Sequence, residues 1–266
     1  VRVLLNVVTA PKSLVNNLKE CVQRAHLGIE RIVPSALASG AGTLIEDEIE
    51  NGAICIDFGG GVTSVSVFMN GAPAWLDLVK VGGSRVTADI AQGIGTTFAA
   101  AERLKTLNGT ADTNVPGMAE RIEAPRLGDD GRLKAGRMTR GELANMIAPR
   151  IEELIEMVQA HLTASPLRPI LPRRTVLTGG ASQLAGVREL ATSVLKQPVR
   201  MGRPIDADVL GENYGNPAFS TAAGLISYEL KGFADASRAG NASALTGEKS
   251  GRGVIAKILI WIRENF

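Results

Sequence analysis

Cysteine is nearly absent: Cys21 and Cys55 are the only two, far apart and without metal-ligand spacing. That excludes a disulfide framework and a cysteine zinc site, and it favours the reduced thiols of a cytosolic protein. Histidine is as scarce. His26 and His161 lie in helical stretches with no Cys, Asp or Glu at ligand spacing, so neither is promoted as a ligand. Aromatic residues make up only 4% of the chain, too few for a base-stacking platform. The formal net charge of +2 is nearly balanced, so no nucleic-acid field and no nucleic-acid partner are expected. No apolar run reaches 18 residues, and no signal peptide opens the chain. What is present is a hydrophobic fraction of 45% in 266 residues, enough for one large core or two smaller ones.

The pattern along the chain is mixed α/β. Residues 1–8 read as a buried strand, and Lys12 to Leu27 as a helix through Leu14, Leu18, Cys21 and Val22. Residues 29–35 read as a second strand, after which Ser35 caps a helix of small residues. Three short strands follow at 53–58, 62–69 and 72–81. Asn70-Gly71 between apolar runs is a hairpin signal, so 53–81 reads as an antiparallel meander. Residues 85–107 read as helical, and 108–137 as a loop with short strands. Residues 139–162 form a long amphipathic helix with a Thr139/Glu142 capping box and Pro149 as a kink or break. A strand at 174–180 enters a glycine turn, a helix runs from about Gln183 to Leu195, and 218–230 is a last packed helix. Residues 231–252, rich in Gly, Ala and Ser, read as a linker.

One stretch, "ICIDFGGGVTSVSVF" at 54–68, sets Asp57 against Gly59, Gly60 and Gly61. A phosphate loop of the P-loop or Rossmann kind leads into a helix. Here the alternation Val62 to Val67 leads into a strand, which disfavours both. Asp57-Phe58-Gly59 also spells a kinase tripeptide, but its catalytic-loop and lysine-strand partners are missing. A glycine hairpin remains. Its amides can form an anion nest, with Thr63 adding a hydroxyl and Asp57 meeting phosphate through a water-held Mg²⁺. The alternative is a hairpin whose glycines only supply positive φ. Further on, Gly179-Gly180-Ala181 precedes a helix expected to open near Ser182. Glu102 and Lys105 share a helix face, where they could bracket the vicinal hydroxyls of a ribose or simply form a solvated ion pair. Cys55, in a buried strand, is expected to be inert.

The order of these signals resembles the second half of the actin, Hsp70 and sugar-kinase superfamily. Within it the chain is similar to the bacterial cell-division actin homologue FtsA. The residues that carry this are "NVVTAPKSLVNNLKECVQRAHLGIERIVPSALASGAGTLIEDEIENG", "IDFGGGVTSVSVFMNG", "VKVGGSRVTADIAQGIGTTFAAAERLK", "GELANMIAPRIEELIEMV", "VLTGGASQLAGV" and "FSTAAGLISY". The resemblance implies an actin-like (ribonuclease H-like) α/β ATPase fold, the second half of a two-domain cleft. Residues 1–50 would be the remainder of the first domain, 51–89 and 166–230 the second nucleotide-binding subdomain, and 90–165 a small outer subdomain. It implies ATP and Mg²⁺ as cofactors. Asp57 would lie near the metal and γ-phosphate, and Gly59, Gly60, Gly61 and Thr63 would clamp phosphate. Glu102 and Lys105 would contact ribose, and Gly179, Gly180, Ala181 and Ser182 would line the adenosine pocket. The partners implied are the C-terminal peptide of the tubulin-like protein FtsZ, with Arg137, Arg140 and Asn145 as candidate contacts, other divisome proteins, and copies of the chain itself in filaments. Hydrolysis would be weak at most and would serve assembly. The family's hairpin commonly reads Gly-Thr-Thr-Asp where this chain has Gly61-Val62-Thr63-Ser64. Its first phosphate loop is expected before residue 1, so this chain would carry one wall of the cleft. A pilus-assembly relative or a sugar or acid kinase of the same superfamily stands as the alternative.

Projected as a helix, Val254, Ile255, Ile258, Leu259, Trp261, Ile262 and Phe266 fall in an arc of about 160°, with Lys257, Arg263 and Glu264 opposite. The segment is roughly 20 Å long, too short to span a bilayer. It suits an interfacial helix on anionic lipid. The resemblance implies that residues 253–266 would tether the protein peripherally to the cytoplasmic face of the cell membrane at the division site. The other reading is a terminal helix docked on the protein's own core.

Overall fold

A computed structural model describes residues 7–205 and 214–231, with side chains as far as Tyr228. Of the linker expected at 231–252, Lys231 is the last residue of a helix, while residues 232–252 and the amphipathic tip expected at 253–266 lie outside the described residues.

The centre is a five-stranded sheet. Its strands are β1 (Ala53–Phe58), β2 (Thr63–Met69), β3 (Ala72–Val79), β8 (Thr175–Thr178) and β9 (Val199–Met201), in the order β3-β2-β1-β8-β9. The first three pair antiparallel, as the meander reading requires, while β8 and β9 run parallel to β1. Asn70 and Gly71 both take positive φ, 53° and 77°, the pair of left-handed residues that a two-residue hairpin needs. β1 lies between β2 and β8, and all six of its residues are buried, which is why it reads as a nearly continuous apolar run.

The two faces of the sheet are covered differently. Ile54, Ile56, Phe58, Val65 and Val67 pack into the main core, shared with α4 (Gly83–Ile94), α5 (Phe98–Asn108), α6 (Arg140–Ala164) and α7 (Val187–Leu195). Ala53, Cys55, Phe68 and Val176 face Leu44 and Ile49, beside α2 (Ser35–Thr43) and α3 (Glu46–Asn51). α8 (Ser220–Lys231) lies against α2 backbone to backbone. A Cβ on Gly224 would sit 1.6 Å from Ala38 O, so only glycine permits this approach. The small residues of "SALASGAG" and "STAAG" are the sequence's means of bringing two helices that close. Arg200 of β9 ties the same region together. Its Nε donates to buried Glu48 Oε1 at 2.7 Å and its Nη2 to Thr43 O at 2.8 Å.

Several expectations are corrected. The helix expected from Lys12 to Leu27 forms as α1 and ends at Arg24. Residues 29–34 form no strand, and Val7 and Val8 are exposed and unpaired, with 1–6 outside the described residues. Apolar alternation there finds no ladder partner among the described residues. Ser35 does not cap α2: the cap position is Pro34, and Ser35 Oγ lies 3.1 Å from Ser64 Oγ. The single helix expected over 85–107 is two, because Gly95 closes α4 in the left-handed region and Thr97 opens α5 by accepting from Ala100 N. Pro149 does not break α6, whose capping box at Thr139 and Glu142 forms as expected. Residues 121–139 hold two short antiparallel pairs, β4 (Arg121–Glu123) with β7 (Arg137–Thr139) and, between them in the chain, the hairpin of β5 (Arg126–Leu127) with β6 (Leu133–Lys134).

Candidate functional site

The glycine turn between β1 and β2 is held by its carbonyls. Gly83 N donates to Gly59 O at 2.9 Å and Ser84 N to Gly60 O at 2.8 Å. The N-terminus of α4 therefore carries the turn, and Gly60 and Gly61 stay exposed. Thr63 is fully buried and its hydroxyl donates to Val81 O at 2.9 Å. Its proton is committed to bracing the loop, a role that sequence spacing did not distinguish from phosphate contact.

Asp57, the penultimate residue of β1, meets α8. Its Oδ2 accepts from Thr221 Oγ1 at 2.7 Å. Burial pushes its carboxyl above the usual carboxylate range, and hydroxyls of Thr221 and Ser39 offset this only in part. Gly179, just past the end of β8, presses on it: a Cβ there would lie 2.3 Å from Asp57 Oδ1, and φ is +90°. Magnesium prefers hard oxygen donors and keeps several of its waters. Asp57 fits that chemistry as a single carboxylate whose burial a nearby cation would offset. Among the described residues no group of three or more His, Cys, Asp or Glu forms a self-sufficient metal cage.

Glu102 and Lys105 meet on α5 as an ion pair of 2.7 Å, and neither is simply solvated. Lys105 Nζ also donates to Thr87 Oγ1 at 2.8 Å and to Gly83 O at 3.2 Å, both on α4. Fully buried Thr87 donates in turn to Glu102 Oε2. Burial opposes ionisation of Glu102, but the hydrogen bonds from Lys105 and Thr87 and the lysine charge outweigh it and hold the carboxyl below its usual range.

The later glycine turn differs from expectation. Gly180–Gln183 is one short 3₁₀ turn, and α7 starts only at Val187. Gly179 to Ser182 therefore do not sit on an open helix N-terminus. Ser182 is buried and its hydroxyl donates back to Gly179 O at 2.7 Å.

A cleft of about 710 Å³ gathers Gly60, Glu102, Lys105, Gly180 and Ala181 in its lining. Asp57, Gly59, Gly61, Thr63, Gly179 and Ser182 do not line it. Gly83, Ser84 and Phe98 do, and sequence reasoning did not single them out as contacts. The signal was available in "VGGS", two glycines just ahead of a helix. Of the three residues named for a peptide partner, Arg140 lines this cleft, and its Nε is buried with no hydrogen-bond partner among the described residues. Arg137 borders a separate hollow of about 460 Å³ with Glu123 and Pro125, and Asn145 is exposed on α6.

Comparison with known proteins follows this geometry. The family described as "Cell division protein FtsA" matches residues 54–224. The cell division protein FtsA of Agrobacterium fabrum is 39% identical over 263 residues, covering 98% of this chain and 59% of that protein. The FtsA of Escherichia coli K12 is 31% identical, covering 97% of this chain and 60% of its own length. This chain thus spans about three-fifths of the relatives it matches. Among solved structures, MreB5 of Spiroplasma citri bound to AMPPNP superposes with a TM-score of 0.65 at 16% identity, covering 84% of this chain and 66% of that one. The PilM-PilN type IV pilus biogenesis complex gives 0.61 at 19%, covering 83% and 58%. These likenesses give the actin-like ATPase fold.

Proposed function

Because the chain belongs to the FtsA family of cell division proteins, we propose that it serves as an actin-like, nucleotide-binding scaffold that tethers the FtsZ ring to the cell membrane at the division site. The observation that carries this reading is the cleft, in which three separately recognised motifs converge. ATP would lie along Gly60, Glu102, Lys105, Gly180 and Ala181, with phosphates toward the turn that α4 supports. A magnesium ion bound there would supply charge neutralisation between carboxylate and phosphates. Asp57 would hold it through water, kept in place by Thr221. Any hydrolysis would be slow and would serve assembly of copies into filaments.

Residues 90–165 would form the outer subdomain that receives the C-terminal peptide of FtsZ. Arg137 and Asn145, which do not line the cleft, remain available for such a peptide, whereas Arg140 would contact nucleotide as readily as peptide. Residues 253–266 would anchor the protein peripherally on anionic lipid. One such helix binds weakly, and a polymer carrying several would bind by avidity.

The deciding experiment is co-sedimentation with anionic liposomes, with and without residues 253–266, in parallel with ATP binding. Deletion should abolish pelleting with lipid and leave nucleotide affinity unchanged. Equal pelleting of both forms would remove the anchor from the proposal.

A further inference from the structure

We propose that the loop at 166–174, which joins α6 to β8, is a second contact with anionic lipid and sets which end of the sheet faces the membrane. The inference rests on the tether reading above and adds a surface that residues 253–266 do not supply.

The loop reads "PLRPILPRR", three prolines and three arginines in nine residues. The prolines leave its backbone few alternatives, so little freedom is lost when it meets a surface. Arg168–Ile170 is one 3₁₀ turn, in which Ile170 N donates to Leu167 O at 2.8 Å. Leu167 and Leu171 pack against the main core. Ile170 is 61% exposed, a large apolar side chain held out into water by a turn with little room to fold it away.

Arg168, Arg173 and Arg174 flank it in sequence, and all three are exposed. Arg174 comes within 3.9 Å of Glu48 Oε1, but that oxygen already accepts from Arg200. Arg168 and Arg173 make no ion pair among the described residues. An unpaired guanidinium can donate two hydrogen bonds to one phosphate. Cations at the headgroups with an apolar side chain just beneath them make an interfacial contact. The exposed acids nearby, Glu46, Asp47 and Glu50 of α3, belong to the other face of the sheet: α3 packs through Ile49 on the side of Leu44, whereas Leu167 and Leu171 pack into the main core.

The position suits a membrane contact that leaves the cleft open. β1 and β8 run parallel, and the loop enters the start of β8. The cleft takes Gly60 and Gly180 from beyond the other ends of those two strands. A flexible linker over 232–252 would hold the body within about 25 Å of an anchored tip. At that range even a weak contact is used, because it forms within one tethered molecule.

The test uses the full chain with Cys21→Ser and Ile170→Cys, since Cys55 is buried and leaves position 170 as the one reactive thiol. An environment-sensitive fluorophore there should shift to the blue on vesicles of phosphatidylcholine with phosphatidylglycerol, and not on phosphatidylcholine alone. Arg168→Gln/Arg173→Gln should remove the shift and weaken binding to the anionic vesicles about tenfold or more. These positions are exposed, so the variants should keep the parent's thermal midpoint. A chain with residues 253–266 replaced by six histidines, held on anionic vesicles through a nickel-chelating lipid, brings the body to the surface without the tip, and the blue shift should return. Unshifted emission from that bound chain overturns the proposal. A shift of equal size when phosphatidylglycerol is left out overturns the role of the arginines. A shift that grows with protein concentration without vesicles would make the loop a contact between copies and overturn the lipid assignment. If the native chain does not pellet with lipid while the histidine-held chain shifts, the tether reading fails and the loop contact stands.

Discussion

Asp57 and Thr221 stand 164 positions apart in the chain and share a hydrogen bond of 2.7 Å. That bond joins the end of the central strand to the first turn of α8. It also leaves a buried carboxylate held only by hydroxyl groups. Burial is the larger influence and favours the protonated form, so Asp57 contributes most to stability at low pH. The contribution is complete below the carboxyl's unfolded value and is lost as pH rises through its raised folded value.

Asp57→Asn should therefore stabilise the metal-free protein. A neutral amide keeps an acceptor for Thr221 and removes the buried charge, for a gain of about 1 kcal/mol at pH 7. Thermal unfolding in chelator should show a raised midpoint and a flatter pH dependence. The same variant should lose any magnesium dependence of nucleotide binding.

Glu48 behaves in the opposite sense. Burial raises its carboxyl, but Arg200, the Ile45 amide and Arg174 together bring it below the usual range. Its stabilising contribution is present above its unfolded value and disappears as pH falls through the depressed folded one. Arg200→Met should cost about 2–3 kcal/mol at neutral pH, somewhat under the figure for a fully enclosed pair because the Arg200 side chain is 38% exposed. Urea titration of the single variant and of Glu48→Gln/Arg200→Met should show the double change recovering part of the loss.

Gly224→Ala is expected to be among the most damaging small substitutions. The added methyl would meet Ala38 O at 1.6 Å, so α8 must lift from α2. A loss of about 3 kcal/mol or more should appear as a lowered urea midpoint or as insoluble expression. Ala222→Ser, at an exposed position on the same helix, should change little.

The two thiols should report burial directly. Burial pushes Cys55 up to about 12, while Cys21 is exposed on α1. The native protein should react with one equivalent of a thiol reagent at pH 8 and with two after denaturation.

Local chemistry explains which parts of the fold could be read from sequence. The meander was legible because Asn70-Gly71 and strict alternation act within a few residues. The capping box at Thr139 and Glu142 was legible for the same reason. Residues 29–34 misled because alternation says that a segment can pair, not that a partner lies beside it. Gly95 and Thr97 mark a helix boundary that the apolar period alone passes over. In the site, Glu102 and Lys105 were found as a pair, but Thr87, which decides how they are held, sits on another helix and leaves no spacing signal. The buried pair of Glu48 and Arg200 is separated by 152 positions and was equally invisible.

The parallel pairing of β1 with β8 has a consequence for how the protein is made. Residues 54–57 wait for residues 175–178 before that side of the strand is covered, and the outer hairpins and α6 are synthesised in between. During translation the meander can form early, since its contacts are local, but it carries an open edge until β8 emerges. The cleft, which needs both the turn after β1 and the turn after β8, is thus a late product of synthesis. A ribosome paused between α6 and β8 would display a folded hairpin sheet with one unprotected strand, the state in which this chain has most need of a chaperone.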